Sequence, residues 1–210
     1  MQERKLNMKA PTNKISISPG NVKMGAIPSV SLPPVITCAA GCQCARKCYA
    51  ARMCRIRETV RDAYARNLDI LTADPAAYWL QVKAAAMVTR YFRYHVSGDI
   101  PDADYFRKMC RLAADLPGTE FLCFTKKYNL VNAAIDAGEY IPGNLHLILS
   151  EWPGMPLDNR HGLPVAHVIF KGDTPAENWR ICGGNCADCA CRGVGCWELQ
   201  AGEHIAFYEH

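Results

Sequence analysis

The stretch that decides the predicted fold runs from residue 91 to residue 125 and reads YFRYHVSGDIPDADYFRKMCRLAADLPGTEFLCFT. It opens with an aromatic and β-branched run, Tyr91–Val96, which is typical of a strand. Asp102 can then cap a helix that reaches about Leu116. A second strand, Glu120–Thr125, follows. The stretch therefore predicts a strand–helix–strand unit, and such units build parallel sheets.

The same alternation extends in both directions along the chain. Upstream, a helical pattern rich in Ala and Arg covers Ala45–Leu71, and Asp74-Pro75 is typical of the start of a further helix that runs to about Thr89. Downstream, a short helix is predicted at Asn129–Ala137. Further strands are predicted at Lys14–Ser18, Val30–Leu32, Leu145–Ser150, Val165–Phe170 and Ile205–Tyr208. The predicted fold class is thus α/β, with five or six strands in a mostly parallel sheet.

Composition narrows the class of protein. Of the 210 residues, 50% are hydrophobic, which favours a compact domain over a disordered chain. We expect an N-terminal arm at residues 1–30 and one α/β domain at residues 31–210, with a Cys-rich segment at residues 180–197. No apolar run approaches the roughly 20 residues of a membrane span, and MQERKLNMKA resembles no secretory signal. We therefore expect a cytoplasmic protein without membrane contact.

Cysteine is the anomaly, because 12 Cys in a cytoplasmic chain favour thiolates on metal over disulfides. Two residues, Cys110 and Cys123, lie in apolar surroundings and are predicted to be buried core residues. The other ten form two groups. The first cysteine run consists of Cys38, Cys42, Cys44, Cys48 and Cys54, and the second cysteine run consists of Cys182, Cys186, Cys189, Cys191 and Cys196.

The spacing of the first cysteine run favours an iron–sulfur cluster. Zinc sites usually separate two close cysteine pairs by a longer insert, whereas Cys38, Cys42, Cys44 and Cys48 fall within eleven residues. Thiolates at the start of the following helix would gain from its dipole. A [4Fe-4S] cluster is the leading interpretation, with zinc and metal-free thiols as alternatives.

The second cysteine run is open between an iron–sulfur cluster and zinc. Cys186 and Cys189 form a Cys-x2-Cys step, which is common in metal sites, and nearby glycines allow a tight turn. Five cysteines exceed the four ligands of one centre. Either one cysteine is spare or the two runs share ligands, so the sequence allows one centre or two.

Polar residues follow most predicted strands, where parallel sheets bind ligands. The groups are Ser97-Gly98-Asp99, Lys126-Lys127, Ser150-Glu151 and Lys171-Gly172-Asp173. Plainer interpretations stand beside the functional ones. His95 is expected to be a buried, hydrogen-bonded residue, Asp99 can simply stabilise its loop, and the Arg-rich stretch after Cys44 can be a solvated helix face rather than a nucleic-acid contact.

Three stretches together resemble the gene-product-88-like family of phages and bacteria. They are IPSVSLP followed by Thr37-Cys38-x5-Cys44-x3-Cys48-Tyr49-Ala50, then Arg93–Asp99, then Phe121–Lys126. The resemblance implies Cys38, Cys44 and Cys48 as ligands of the first site. The family usually has no cysteine at position 42, so Cys42 is either an alternative ligand or a bystander.

The family is similar, more distantly, to radical S-adenosylmethionine (SAM) enzymes, which have a partial (β/α)6 barrel. The resemblance implies such a barrel here, with Cys-rich loops at the carboxyl ends of the strands. It also implies that Ser97, Gly98, Asp99 and Ser150 bind SAM as a cofactor, and we assign catalytic roles to Asp99, Lys126 and Glu151. The first run does not have the radical spacing, whereas Cys182-x3-Cys186-x2-Cys189 does.

Two functions remain as predictions. The first is an iron–sulfur enzyme, possessing one or two clusters, that does redox or electron-transfer chemistry on a small molecule or with an electron donor. The second is a non-enzymatic iron–sulfur or zinc module in which metal binding stabilises the fold, while the basic helix binds nucleic acid or a protein partner. Net charge, at +4, is too small to favour nucleic acid by itself.

Overall fold

The computed structural model describes residues 13–209, and within them it contains an eight-stranded sheet and six α-helices. Residues 1–12 of the predicted arm, and His210, lie outside the described residues. The strands are β1 (Ile17–Ser18), β2 (Ser29–Val30), β3 (Tyr91–Tyr94), β4 (Glu120–Thr125), β5 (Leu145–Ser150), β6 (Val165–Ile169), β7 (Trp179–Ile181) and β8 (His204–Tyr208). The helices are α1 (Tyr49–Ile56), α2 (Glu58–Ala73), α3 (Pro75–Ala86), α4 (Ala103–Asp115), α5 (Tyr128–Asp136) and α6 (Cys186–Arg192), with 3-10 turns at Gln43–Lys47 and Gly195–Trp197. Within residues 13–209 none of these helices has the length and apolar character of a membrane span.

The sheet has the order β1-β2-β3-β4-β5-β6-β8-β7. Only β1 and β2 pair antiparallel among the described strands, and every other neighbouring pair is parallel. From β2 to β6 the spatial order follows the chain order, so the carboxyl ends of five successive strands meet at one edge. The predicted mixed α/β class with a mostly parallel sheet is confirmed.

Local signals located most elements to within a few residues. Strands β4 and β5 have the predicted bounds. Asp74 caps α3 by accepting a hydrogen bond from the Ala77 amide, with Pro75 in the first turn, and Asp102 caps α4 through the Tyr105 amide. Each cap joins residues three positions apart in the sequence and needs no tertiary contact, so it can be predicted from the sequence.

The single helix predicted for Ala45–Leu71 is wrong, because the chain is extended at Arg57 (φ −130°, ψ 97°) and divides it into α1 and α2. The change of direction lets α2 pack on the first strands. Its buried Asn67 accepts a hydrogen bond from the Ser16 amide and donates to the carbonyls of Ser16 and Ser31. A buried amide needs such partners, so this tertiary requirement overrides local helix propensity.

Two elements near the C-terminus were not predicted. They are the edge strand β7 and the short helix α6 within the second cysteine run. The stretch around them is rich in Gly and Cys and has neither helical nor strand periodicity, so sequence patterns do not indicate it. Asn185 caps α6 and Gly193 ends it in the left-handed conformation.

Each face of the sheet is covered by a different layer. On one face, Phe92, Phe121 and Leu147 pack with buried residues of α3, α4 and α5. On the other face, Leu122 and Ile148 pack with Ala190 of α6 and with Cys196 and Trp197 of the 3-10 turn. Because successive strand residues point to opposite faces, Phe121 and Leu122 belong to different layers. The second cysteine run thus covers the face that the helices α3 to α5 leave open.

Candidate functional site

A cavity of about 380 Å³ lies at the carboxyl edge of the parallel strands. One part of its wall comes from the first cysteine run, which contributes Cys38, Cys42, Cys44 and Cys48. Another part comes from residues at or just beyond the carboxyl ends of β3, β4 and β5, namely Ser97, Gly98, Asp99, Lys126, Ser150 and Glu151. The structure therefore brings together nearly all the predicted first-site residues. Cys54 lies within α1 and is not part of the cavity wall.

Cys38 is held by a strained turn. The Val35 amide donates to the Cys38 Sγ at 3.3 Å, and Val35 itself has φ 71°, which a β-branched residue rarely adopts. Burial raises the pKa of Cys38, the Val35 amide lowers it, and the nearby Asp99 carboxylate raises it. Strain of this kind persists only where the surrounding structure imposes it, and it clusters at functional sites.

The other thiols of the cavity wall lie close together. Cys42 and Cys44 have their sulfur atoms 2.8 Å apart, and the Cys42 Sγ lies 3.6 Å from the Met155 Sδ. Burial and then the Cys42 contact raise the pKa of Cys44 to about 12, although the Lys126 ammonium acts in the opposite direction. Cys48 caps α1, because its Sγ accepts from the Ala51 amide at 3.4 Å. A thiolate at this position faces the positive end of the helix dipole.

The Ser97-Gly98-Asp99 loop fits tightly against the segment that carries Cys38. Gly98 has φ +79°, and a Cβ there would lie 2.6 Å from Thr37 Oγ1 and 2.7 Å from the Leu32 carbonyl oxygen. Thr37 Oγ1 also accepts from the Asp99 amide at 3.1 Å. Gly98 therefore permits the close approach that positions Thr37 and, next to it, Cys38.

Asp99 is buried, and its carboxylate bonds entirely within the protein. Oδ1 accepts from Thr125 Oγ1 at 2.6 Å and from the Ile100 amide at 2.7 Å, and Oδ2 accepts from the Lys126 amide at 2.8 Å. Burial raises the pKa of Asp99, and these hydrogen bonds lower it. This arrangement favours a positioning role that joins the ends of β3 and β4, rather than the catalytic role that we predicted.

Lys126 and Ser150 form a direct link across the strand ends. Lys126 Nζ donates to Ser150 Oγ at 2.6 Å, and Tyr128 Oη donates to the Ser150 carbonyl oxygen at 2.5 Å. The ammonium group of Lys126 also lies 6.0 Å from the centre of the Trp152 ring. A cation and a hydroxyl are thus presented to the cavity beside the thiols, as the sequence predicted from their positions after the strands.

Glu151 belongs to a chain of titratable groups that the sequence did not indicate. Its carboxylate contacts His167 Nδ1, and His167 Nε2 lies 2.8 Å from His204 Nδ1. The His167 ring is stacked on Trp179 at 3.8 Å between centroids. Burial lowers the pKa of His167, whereas Glu151 raises it. The pairing of β5, β6 and β8 brings these residues together, so no local sequence pattern predicts their contact.

Arg93 and His95 also line the cavity without having been assigned a role in it. His95 is buried, as predicted, but the expected hydrogen bond is wrong, since neither ring nitrogen has a partner among the described residues. His95 has φ 56°, and burial lowers its pKa to about 3, so the imidazole is neutral. Both residues lie in Arg93–Asp99, one of the three stretches on which the family resemblance rests, so the sequence did indicate this region.

The remaining cysteines lie elsewhere. Cys110 and Cys123 are buried in the core, as predicted. Cys182, Cys186, Cys189 and Cys196 belong to the layer on the second sheet face, and Cys191 is exposed. Within residues 13–209, no group of three or more His, Cys, Asp or Glu side chains is positioned so that it could hold a metal ion.

These features define a class, an α/β protein with a thiol-lined cavity at the carboxyl ends of parallel strands. The chain matches the family model described as gene product 88 over residues 2–201, and it belongs to that family. The family resemblance expected from the sequence is thereby confirmed. No curated protein and no solved structure matches the chain.

Proposed function

We propose that this protein is an iron–sulfur redox enzyme that acts on a small polar molecule bound in the cavity. One observation carries the proposal, which is that four thiols and the polar ends of three parallel strands line the same cavity of about 380 Å³. A protein whose cysteines only stabilised the fold would not need a polar cavity beside them. The volume lies within the range of small-molecule sites, about 300–1,000 Å³.

The donor set fits an iron–sulfur cluster. Cys38, Cys44 and Cys48 would hold it, with Cys42 as a fourth or alternative ligand, because thiolates are the ligands that these clusters take. Burial raises the pKa of Cys38 and Cys44, so both thiols are protonated near neutral pH and metal binding must release their protons. When bound, such a cluster supplies or accepts single electrons.

The polar residues around the cavity would bind and orient the small molecule. Lys126 and Ser150 present a cation and a hydroxyl, suited to a carboxylate, phosphate or carbonyl group. Glu151, held by His167, presents a carboxylate that can accept a proton or an ammonium group. Asp99 joins the loop after β3 to the end of β4 through Thr125 and the Lys126 amide. We therefore expect Lys126 and Glu151, rather than Asp99, to touch the substrate.

The finer proposal is that the fold is a partial (β/α)6 barrel of the radical-SAM type and that SAM is the bound cofactor. The sequential order of β2 to β6 supports the barrel. The placement of Ser97, Gly98 and Ser150 at the cavity supports a ligand there. The protein donors that already occupy Asp99 weaken a direct role for its carboxylate in holding the cofactor.

The test of the cluster is reconstitution with iron and sulfide without oxygen, followed by assays of bound iron and sulfide. We expect Cys48→Ala to lose the iron of the first cysteine run, whereas the buried Cys110→Ala variant keeps it and serves as the control. Full retention of iron and sulfide in Cys48→Ala would overturn the assignment.

The SAM proposal has a separate test. The reconstituted protein is reduced in the presence of SAM, and SAM cleavage is assayed together with the electron paramagnetic resonance spectrum. We expect a SAM-dependent change in the spectrum. If neither cleavage nor a spectral change occurs, SAM chemistry is rejected and electron transfer remains as the proposed function.

A further inference from the structure

The second cysteine run is folded into a compact module on the sheet face opposite α3 to α5. Cys182 directly follows β7, and its amide donates to the Ala206 carbonyl of β8 at 2.9 Å. Cys186 and Cys189 lie on α6, and Cys196 lies in the following 3-10 turn. Strand, helix and turn therefore deliver four thiols to the same layer.

These four thiols influence each other electrostatically. Burial raises the pKa of Cys196 above its usual range, and Cys182, Cys186 and Cys189 raise it further. Burial likewise raises the pKa of Cys186, with contributions from Cys182 and Cys189. Cys191, on the same helix, is exposed to solvent. The structure thus separates five cysteines into a group of four and one bystander.

Glycine and backbone contacts surround the group. The backbone at Gly195 (φ +72°) approaches Cys189 so closely that an added Cβ would lie 3.2 Å from its Sγ, and at Gly183 the corresponding distance is 3.6 Å. The Gly184 amide points at the Cys182 Sγ at 3.4 Å. Backbone that wraps this closely around sulfur is the environment expected at a metal–thiolate centre.

A half-buried cation lies beside the group. Arg93 of β3 donates through Nη1 to the Cys186 Sγ at 3.5 Å, and its Nε is buried without a partner among the described residues. The Arg93 guanidinium also lies 5.1 Å from the centre of the Phe124 ring, and its contact with this group is to a sulfur rather than to a carboxylate. Four thiolates on a metal carry net negative charge, which this cation would offset.

We propose that Cys182, Cys186, Cys189 and Cys196 form a second metal centre, distinct from the cavity, with Arg93 as its charge-balancing residue. The ligand is a thiophilic metal, held either as an iron–sulfur cluster or as zinc, which share the same thiolate chemistry. Binding of zinc, or of a preassembled cluster, releases thiol protons to solvent and changes no oxidation state. The site does not depend on the function proposed for the cavity.

The experiment compares single serine variants of the full chain, purified without oxygen and assayed for iron, sulfide and zinc. The variant Cys189→Ser removes a proposed ligand, and Cys191→Ser is the matched control two residues away on the same helix. Cys48→Ser is included to remove the first site alone. Iron with sulfide distinguishes a cluster from zinc in every variant.

We expect Cys189→Ser to lose the metal of the second centre and Cys48→Ser to lose the metal of the first site. Cys191→Ser should have the same metal content as the parent protein. Loss in Cys189→Ser with no loss in Cys48→Ser would support the second centre while contradicting the function proposed for the cavity. Equal metal content in Cys189→Ser and the parent would overturn the second centre, as would equal losses in Cys189→Ser and Cys191→Ser. As a check on folding, circular dichroism of Cys189→Ser should match that of Cys191→Ser when excess metal is present.

Discussion

His95 is a buried imidazole without a hydrogen-bond partner at the wall of the cavity. Burial lowers its pKa to about 3, against an ordinary value of 6.5. The unfolded chain therefore takes up a proton as the pH falls below about 6.5, whereas the folded protein does not until about pH 3. Stability is lost as the pH falls through this window, by up to roughly 4–5 kcal/mol at about 1.4 kcal/mol per pKa unit.

The variant His95→Asn should remove the part of the acid-induced loss of stability that comes from His95. Asn tolerates the positive φ of this position better than most residues, so the backbone can be retained. We expect the parent protein to lose more stability than His95→Asn between about pH 7 and pH 4, as measured by urea unfolding. Parallel stability curves for the two proteins would show that His95 does not titrate in this way.

Gly98 links the loop after β3 to the segment that carries Cys38. Gly98→Ala places a methyl group against Thr37 and Leu32, whereas Gly162→Ala meets open space at a similar backbone angle, φ +67°. Both variants bear the conformational cost of a positive φ, roughly 1–2 kcal/mol. Only Gly98→Ala should also bind several-fold less iron on reconstitution, because it displaces Cys38. Equal iron in the two variants would contradict this positioning role.

At the scale of elements, the N-cap of α4 determines where the chain turns after the cavity loop. Asp102 accepts a hydrogen bond from the Tyr105 amide at 2.8 Å. We expect Asp102→Ala to lower the free energy of unfolding by about 1 kcal/mol, measured by urea denaturation. Asp104→Ala, in the first turn and paired with Arg107 at the surface, is the control and should cost a few tenths of that. A similar loss in both variants would argue against the cap.

The elements that sequence predicted well are those with local causes. Glu120–Thr125 and Leu145–Ser150 are continuous apolar runs, and Asp74 and Asp102 are caps that need no distant partner. The break at Arg57 escaped prediction because it serves the packing of Asn67 against the first strands. The elements β7 and α6 escaped because Gly and Cys carry no periodic signal.

The candidate site was predictable to the extent that strand ends meet at one edge of a parallel sheet. That rule placed Ser97, Lys126 and Ser150 around the cavity. It could not show that Asp99 accepts three hydrogen bonds from protein donors, since those bonds depend on the register of β3 and β4. The contact of Glu151 with His167 likewise depends on the pairing of β5 and β6.

At the scale of the whole molecule, the two cysteine runs occupy different places. Four residues of the first run line the cavity at the carboxyl edge of the sheet, and four residues of the second form part of the layer that covers one face. Arg93 lies between them, because it both lines the cavity and contacts the Cys186 sulfur. The thiols of the cavity and the thiols of the second cysteine run therefore have Arg93 as a common neighbour.

Whether the thiols at the cavity bind an iron–sulfur cluster can be decided by measuring iron, sulfide and zinc per chain on protein purified without oxygen. We predict iron and sulfide in nearly equal amounts, and a large loss of both in Cys48→Ala. Zinc as the only metal, or no metal at all, would contradict this prediction.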